Sequence, residues 1–377
     1  MRSTPTRLVV PIMLAMLAWP TGALGQRLSV APKPPENPYP YTPEEPNAGR
    51  FSLWQSATYL DGVAQFWMQP NSCGACHANF AYLIARPHAG GDPAPLLAQT
   101  RQFLEARKAP NPKAFSFDSE AVAIAFALAR DDARTGGQLR PATRQALSRM
   151  WALQKSSGRW SPIGCGEVIP PETDRYYTVI LAALAAGFAP EGYAREPAVQ
   201  DGLTRLRRFF ATTPPAHLHD EALLLWASLH LDGLMTAPER EATVRSLLGR
   251  QGRDGGWSFH DLISTAPSRQ ASDGYGTGLA IYVLRQAGVP ASRPEIARGV
   301  GWLRANQRVS GRWFTPAPVS QTEGGVGSRD LYAQNLGTAF AVLALTACDA
   351  TESGPARPRL PRGASGLALR EYLIPGG

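Results

Sequence analysis

The sequence predicts an all-α protein, a single α/α toroid of about six helix pairs. A unit of two helices joined by a loop recurs along the chain, and strand-like alternation is nearly absent. The second helix of each unit is rich in Ala, Gly and Leu and almost without charge, as expected of a helix buried on all sides. Neither end of the array carries the polar cap that an open solenoid needs, so we expect a closed ring.

Three units show the repeat most clearly. Each has an outer helix, a Gln, a tight turn with Gly, a Trp, a loop and an inner helix. The Gln and Trp pairs are Gln154 and Trp160, Gln251 and Trp257, and Gln307 and Trp313. The Gly permits a positive-φ turn, the Trp is expected to pack beneath it, and the Gln to hydrogen-bond the helix end. Weaker units cover residues 96–130 and 200–232, and the first unit begins near Leu53.

Residues 1–25 have the pattern of a signal peptide. Arg2 and Arg7 precede a short apolar run, and the small residues Ala23 and Gly25 follow it. The alternative is a membrane anchor, but the run is shorter than the ~20 residues that span a bilayer. We therefore expect a periplasmic or secreted protein with no membrane span in its mature chain.

The remaining chain divides by composition. Residues 26–47 are rich in proline and predict an extended N-terminal tether, residues 48–350 form the toroid, and residues 351–377 form a C-terminal tail. The net charge is +8 and falls to +6 without the signal peptide, which holds two arginines and no acidic residue. The basic residues are scattered, so the sequence argues against a nucleic-acid partner.

The stretch Cys73-Gly74-Ala75-Cys76-His77 matches the C-x-x-C-H pattern of covalent haem c attachment. Cys73 and Cys76 would bind the haem vinyl groups, and His77 would ligate the iron as one axial ligand. A disulfide or free thiols are the first alternative. A zinc site is the second, although zinc takes about four ligands and the remaining cysteines, Cys165 and Cys348, lie far apart in the sequence.

The motif occupies the place in the first unit where later units carry Gln and Trp. We therefore expect the haem to be part of the ring, with a redox partner in the periplasm. A Met or His sixth ligand would favour electron transfer, and an open position would favour oxygen or peroxide chemistry. The candidates for a sixth ligand are Met68, His88, His217, His219, His230 and His260.

Polar residues gather in the loops before the inner helices. In a toroid these loops share one rim, so they predict a polar ring at the mouth of an apolar cavity. The candidate catalytic residues are Glu172, Asp174, Asp273 and Tyr275. Counting from the helix ends places Glu172, Asp273 and Gln334 at equivalent positions. The alternative role for each is to cap a helix N-terminus, which suits Asp well.

The three Gln and Trp units resemble the QW-type repeats of squalene–hopene cyclases and of the wider terpenoid cyclase and protein prenyltransferase toroids. The whole pattern also resembles a bacterial group of prenyltransferase/squalene-oxidase-repeat proteins with C-x-x-C-H in the first repeat. The resemblance implies a toroid and a hydrophobic, isoprenoid-like ligand. The chain lacks the Asp-x-Asp-Asp acid of the cyclases and shows no recognisable prenyltransferase zinc ligands, so the chemistry does not transfer with the fold.

These observations favour an exported c-type haem protein, either a haem-dependent oxidoreductase or an electron carrier, acting on a hydrophobic small molecule. One alternative is a haem-free terpenoid cyclase-like enzyme, in which an acidic residue of the rim supplies the proton. The other is a non-catalytic binding protein of the cell envelope.

Overall fold

The computed structural model describes residues 44–68, 78–107, 117–161, 175–264, 271–316 and 328–349. Within these ranges the chain is helical and has no strand, apart from the isolated bridges Asn47 to Arg308 and Gln307 to Trp313. The α-helices are α1 (Leu53–Met68), α2 (Asn79–Ala85), α3 (Ala94–Glu105), α4 (Phe117–Arg134), α5 (Pro141–Ala152), α6 (Arg175–Phe188), α7 (Gln200–Thr212), α8 (Leu218–Ser228), α9 (Ala237–Gly249), α10 (Phe259–Ile263), α11 (Gly274–Gln286), α12 (Pro294–Ala305) and α13 (Ser328–Asp349). Short 3₁₀ helices cover Arg86–His88, Tyr193–Arg195 and Pro197–Val199.

Six helices form a closed inner ring. In order around the ring, α2, α4, α6, α8, α11 and α13 each contact the next, and α13 contacts α2 again. The outer helices α1, α3, α5, α7, α9 and α12 alternate with them along the chain, and the short α10 lies between α8 and α11. Helix α1 contacts both α2 and α13, so it covers the point where the ring closes. The predicted α/α toroid of six helix pairs is confirmed.

Apolar composition determines which helices lie inside. In α6 the residues from Val179 to Ala186 are almost inaccessible, and α6 has no charged residue after Arg175. The outer helix α7 is amphipathic instead, with Leu206 and Phe209 buried among exposed polar neighbours. None of the helices in the described ranges is both long and apolar enough to cross a membrane.

The Trp of each clear unit packs under its turn, as predicted. Trp160, Trp257 and Trp313 are at most 2% exposed. Each indole Nε1 donates to the carbonyl oxygen ten residues earlier, on Met150, Leu247 and Leu303 respectively, at 2.7 Å. The indole therefore gives a second, shorter hydrogen bond to a carbonyl in the last turn of the outer helix, which otherwise accepts only from the amide three residues later, at 3.2–3.3 Å.

The Gln of each of these three units reaches beyond its own unit, which the sequence did not predict. Its Nε2 donates to the carbonyl of the turn Gly and also to a carbonyl at the start of the next outer helix. The acceptors are Gly158 and Gly202 for Gln154, Gly255 and Glu295 for Gln251, and Gly311 and Ser52 for Gln307. We call this pair of bonds the inter-unit clasp.

The clasp at Gln307 joins the last unit to the first. Gln307 Nε2 donates to Ser52 O at 2.9 Å and to Ser56 Oγ at 2.7 Å, while its Oε1 accepts from Ser52 N at 2.7 Å. Glu45 adds to this closure, because its carboxylate lies 2.5 Å from the Arg312 guanidinium, which is 3% exposed. The ring is therefore closed by hydrogen bonds as well as by helix packing.

We predict that Gln307→Ala destabilises the protein by about 2–4 kcal/mol, because it removes hydrogen bonds to the buried Ser56 hydroxyl and Gly311 carbonyl and to the part-buried main chain of Ser52. The free energy of unfolding in urea measures the effect. The matched control is Gln102→Ala on the exposed face of α3, which should stay within about 0.5 kcal/mol of wild type. Equal losses in the two variants would contradict a closing role for Gln307.

A second prediction concerns Gly311, the turn glycine of the closing unit. Its φ is +91°, and a Cβ there would lie 2.3 Å from the main-chain oxygen of Gln55 on α1. Gly311→Ala should therefore destabilise the protein by about 2 kcal/mol or more. Gly301→Ala on α12 is the control, since nothing lies within 4 Å of its Cβ position, and it should stabilise by up to about 1 kcal/mol. Thermal unfolding of both variants tests the difference.

Candidate active site

Each inner helix contributes one aromatic side chain to the centre of the ring. We call this set the aromatic assembly: Phe80, Phe126, Phe188, Trp226, Tyr282 and Phe340. Five of the six are at most 3% exposed, and Phe188 is half-buried. Ring centroids lie 5.7 Å apart for Phe80 and Phe126 and 5.3 Å apart for Trp226 and Tyr282. These are normal separations for stabilising aromatic pairs.

The assembly crosses the ring as well as following it. Phe126 on α4 contacts Trp226 on α8 at 5.7 Å, and Trp226 contacts Phe340 on α13 at 6.3 Å, although neither pair of helices is adjacent in the ring. The described side chains therefore fill the axis at this level, where the sequence predicts an apolar cavity. The prediction of an apolar interior was right, but the interior is packed with aromatic rings.

At the rim where the inner helices begin, three buried polar side chains form a chain of contacts. His219, the second residue of α8, has its Nε2 at 2.9 Å from the hydroxyl of Tyr275, the second residue of α11. Its Nδ1 lies 3.4 Å from Asp220 Oδ1. All three residues are at most 1% exposed. We call them the Asp–His–Tyr chain.

The order of the three groups favours one arrangement of protons. An ionised Asp220 attracts the proton of His219 to Nδ1, which leaves Nε2 as the acceptor for the Tyr275 hydroxyl. The Tyr275 hydroxyl can then give its own proton to Nε2 as its oxygen takes up another. This geometry supports transfer of a proton into the chain through Tyr275.

Tyr275 also joins the Asp–His–Tyr chain to the aromatic assembly. Its ring lies 5.3 Å from Phe340 and 5.5 Å from Phe259, both in edge-on geometry. The ring of His219 packs against Phe259 at 5.6 Å. The polar chain is thus held in aromatic surroundings, where its hydrogen bonds are stronger than in water.

Asp273 takes the capping role that the sequence left as its alternative. It is the N-cap residue of α11, and its carboxylate accepts from Gly276 N at 2.8 Å and from Phe259 N at 2.5 Å. Burial raises the pKa of Asp273 to about 7, against the lowering effect of these amide bonds. Both oxygens are engaged, so Asp273 positions the loop and helix beside Tyr275.

Asp273 and Gln334 occupy equivalent positions in successive units, as predicted. Asp273 accepts from the amide two residues after Trp257, and Gln334 Oε1 accepts at 3.1 Å from Thr315 N, two residues after Trp313. Each binds the strand-like segment that follows the Trp of its own unit. Unlike Asp273, Gln334 lies within its helix, because α13 begins six residues earlier, at Ser328.

The other residues predicted to bind haem or to act in catalysis do not form one site among the described residues. Cys73, Cys76, His77, Glu172 and Asp174 lie outside the described residues, so their assignments stay predictions. Among the histidines proposed as a sixth haem ligand, His219 belongs to the Asp–His–Tyr chain and His217 is the N-cap residue of α8. His88 and His230 follow the C-terminal ends of α2 and α8, away from Tyr275.

Two features of the structure were not predicted from the sequence. One is the aromatic assembly, whose signal is a large aromatic residue in the inner helix of every unit. The other is Arg130, a charged residue that contacts the assembly near the end of α4. An arginine directly after the apolar run Ala121–Ala129 is an unusual feature of an inner helix and could have drawn attention to it.

No family model and no curated protein matches the chain. Among solved structures, the chain is similar to the type II terpene cyclase MstE from Scytonema, in its apo form and in two variants with geranylgeranyl dihydroxybenzoate bound. The identity is 14–15% over 80–81% of this chain and 90–91% of the other, with TM-scores of 0.40–0.41. We assign the toroid from the helix contacts described above.

Proposed function

We propose that the protein is an enzyme that transfers a proton from or to a hydrophobic, isoprenoid-like molecule bound at the rim where the inner helices begin. The observation that carries the proposal is the buried Asp–His–Tyr chain, which meets the aromatic assembly at Tyr275. Buried hydrogen-bonded chains of this kind are characteristic of acid–base sites. The rim is also where the sequence places its polar loops.

In this proposal Tyr275 acts as the group that contacts the substrate. Its oxygen accepts a proton from a substrate carbon, while its own proton moves to His219 Nε2 over 2.9 Å. Asp220 then stabilises the imidazolium that forms. Loss of that proton from a cationic substrate creates a double bond, so the reaction class is isomerisation or cyclisation without a change of oxidation state.

The aromatic assembly supports a cationic intermediate. The faces of Phe and Trp rings attract positive charge, with energies of about 0.5–2 kcal/mol for each contact. The assembly already binds one cation in this way, because the Arg130 guanidinium lies 4.7 Å over the Phe188 ring. Glu172 and Asp174 remain candidates for the acid that starts the reaction.

We predict that Tyr275→Phe lowers turnover by about 100-fold or more, because general base catalysis contributes about 10²–10⁴. Squalene, farnesol and geranylgeraniol are the first substrates to offer, with products identified by gas chromatography and mass spectrometry. The control is Tyr193→Phe, since Tyr193 is a buried tyrosine whose hydroxyl contacts Trp151 near the outer helix α5. Full activity in Tyr275→Phe would overturn the proposed role.

The second candidate is a c-type haem protein with a redox role, either an oxidoreductase or an electron carrier. The observation that favours it is the Cys73-Gly74-Ala75-Cys76-His77 stretch behind a predicted signal peptide. Two thiols and an imidazole within five residues are the donor set that covalent haem requires. The haem would supply one-electron chemistry, with Cys73 and Cys76 as its attachment points, His77 as an axial ligand and a periplasmic protein as the redox partner.

We predict, for this candidate, that the chain expressed with a haem c maturation system gives a pyridine haemochrome spectrum of covalent haem. Cys73→Ser with Cys76→Ser should abolish the spectrum, because both thioether bonds are lost. Cys348→Ser is the matched control, since Cys348 lies at the end of α13, outside the motif, and should leave the spectrum unchanged. Absence of covalent haem in the wild-type chain would remove the redox candidate and leave the proton-transfer proposal in place.

A further inference from the structure

Arg130 lies at the opposite end of the aromatic assembly from Tyr275. It is four residues from the end of α4, whereas Tyr275 is the second residue of α11. His230 lies two residues after the end of α8, and His88 ends the 3₁₀ helix that follows α2. These side chains gather where the inner helices end.

Aromatic rings and a phenol hold the Arg130 guanidinium in place. Its Cζ lies 4.7 Å from the Phe188 centroid and 5.8 Å from the Trp226 centroid, and its Nη2 donates to the Tyr282 hydroxyl at 2.9 Å. A guanidinium has five N–H donors, so this contact leaves most of them for another acceptor. Its orientation is fixed before any ligand arrives.

Within the described ranges, no carboxylate forms an ion pair with Arg130. The next two residues are acidic, but Asp131 binds Arg101 and Arg134, and Asp132 binds Arg101 and Arg140. A half-buried cation without a counter-charge is costly, and proteins usually pair it. The charge of Arg130 therefore remains uncompensated by these neighbours.

Among the described residues, two further polar atoms at this end have no hydrogen-bond partner. Trp226 is 1% exposed and its Nε1–H is unpartnered, as is the buried Nε2 of His230. The His230 ring packs 3.9 Å from Phe188, the ring that Arg130 also covers. Burial and then the charge of Arg130 lower the pKa of His230 to about 3, so the imidazole is neutral at pH 7. Unpartnered buried polar atoms around an uncompensated cation indicate a missing polar ligand.

We propose that this cluster is an oxyanion-binding site, in which Arg130 binds the carboxylate or phosphate group of a ligand at the C-terminal ends of the inner helices. The forked guanidinium matches the two oxygens of such a group, and the aromatic surroundings strengthen the interaction. The bound anion compensates the charge of Arg130. The site is separate from the Asp–His–Tyr chain and goes beyond the proposed function.

Calorimetric titration of the purified full chain tests the site. Sodium benzoate probes for a carboxylate ligand and inorganic phosphate for a phosphate ligand, each in a low-salt chloride buffer. We expect one or both to bind, and Arg130→Met to weaken that binding by about tenfold or more, as expected for loss of charge-assisted hydrogen bonds. The control is Arg144→Met, because Arg144 also lies over an aromatic ring, that of Tyr193, but pairs with Glu196.

Tyr282→Phe provides a second variant that keeps the aromatic packing if Arg130→Met does not fold. It removes the hydroxyl that orients the guanidinium, so the affinity for the bound probe should fall several-fold. The proposal is overturned if neither probe binds the wild-type chain. It is also overturned if Arg144→Met weakens binding as much as Arg130→Met, or if Tyr282→Phe binds with unchanged affinity. None of these outcomes bears on the role of Tyr275.

Discussion

The hydrogen bonds of three Gln side chains join consecutive units at three of the six junctions of the ring, including the one that closes it. A helix pair presents a buried inner helix and must find a neighbour on each side. The clasp fixes that neighbour, because one amide binds both its own turn and the start of the next outer helix. Its carbonyl oxygen is used too, accepting from Arg205 for Gln154 and from Ser52 N for Gln307. In these three units both polar atoms of the Gln side chain are therefore used in hydrogen bonds, and at least one of them crosses to the next unit.

Corresponding ends of the inner helices lie together in the ring. The inner helices are held in parallel, so their first residues meet at one rim and their last residues at the other. The first rim brings His219 and Tyr275 together from α8 and α11, and the second brings Arg130 close to His230. The aromatic assembly separates the two groups. The Asp–His–Tyr chain and the Arg130 guanidinium therefore lie at opposite ends of the same ring, and each contacts the aromatic assembly between them.

The apolar periodicity of the helices and the recurring turn residues predicted the fold well. Uncharged second helices and the recurring Gly and Trp identified six pairs and a closed ring, because burial and turn conformation are local consequences of residue type. The carbonyl that each Gln binds in the next unit was not predicted, since local sequence does not reveal a partner in another unit. For the same reason His219 and Tyr275 were noted separately, although they are joined by a hydrogen bond across 56 residues. Asp273 could be predicted as a cap or an acid, and only its contacts with Gly276 and Phe259 distinguish the two.

The closure at Gln307 sets an order for folding. Its bond to Ser52 O spans 255 residues. Helix α1 in the first unit therefore cannot be covered by α13 until the last unit has been synthesised. At about 5–20 residues per second, synthesis alone separates the two partners by roughly 13–50 s. During that interval the apolar side of α1 that later contacts α13 is exposed, and it is a site where a chaperone or another chain could bind. Closing the ring thus buries an apolar surface of the kind that stays exposed at both ends of an open array of helices.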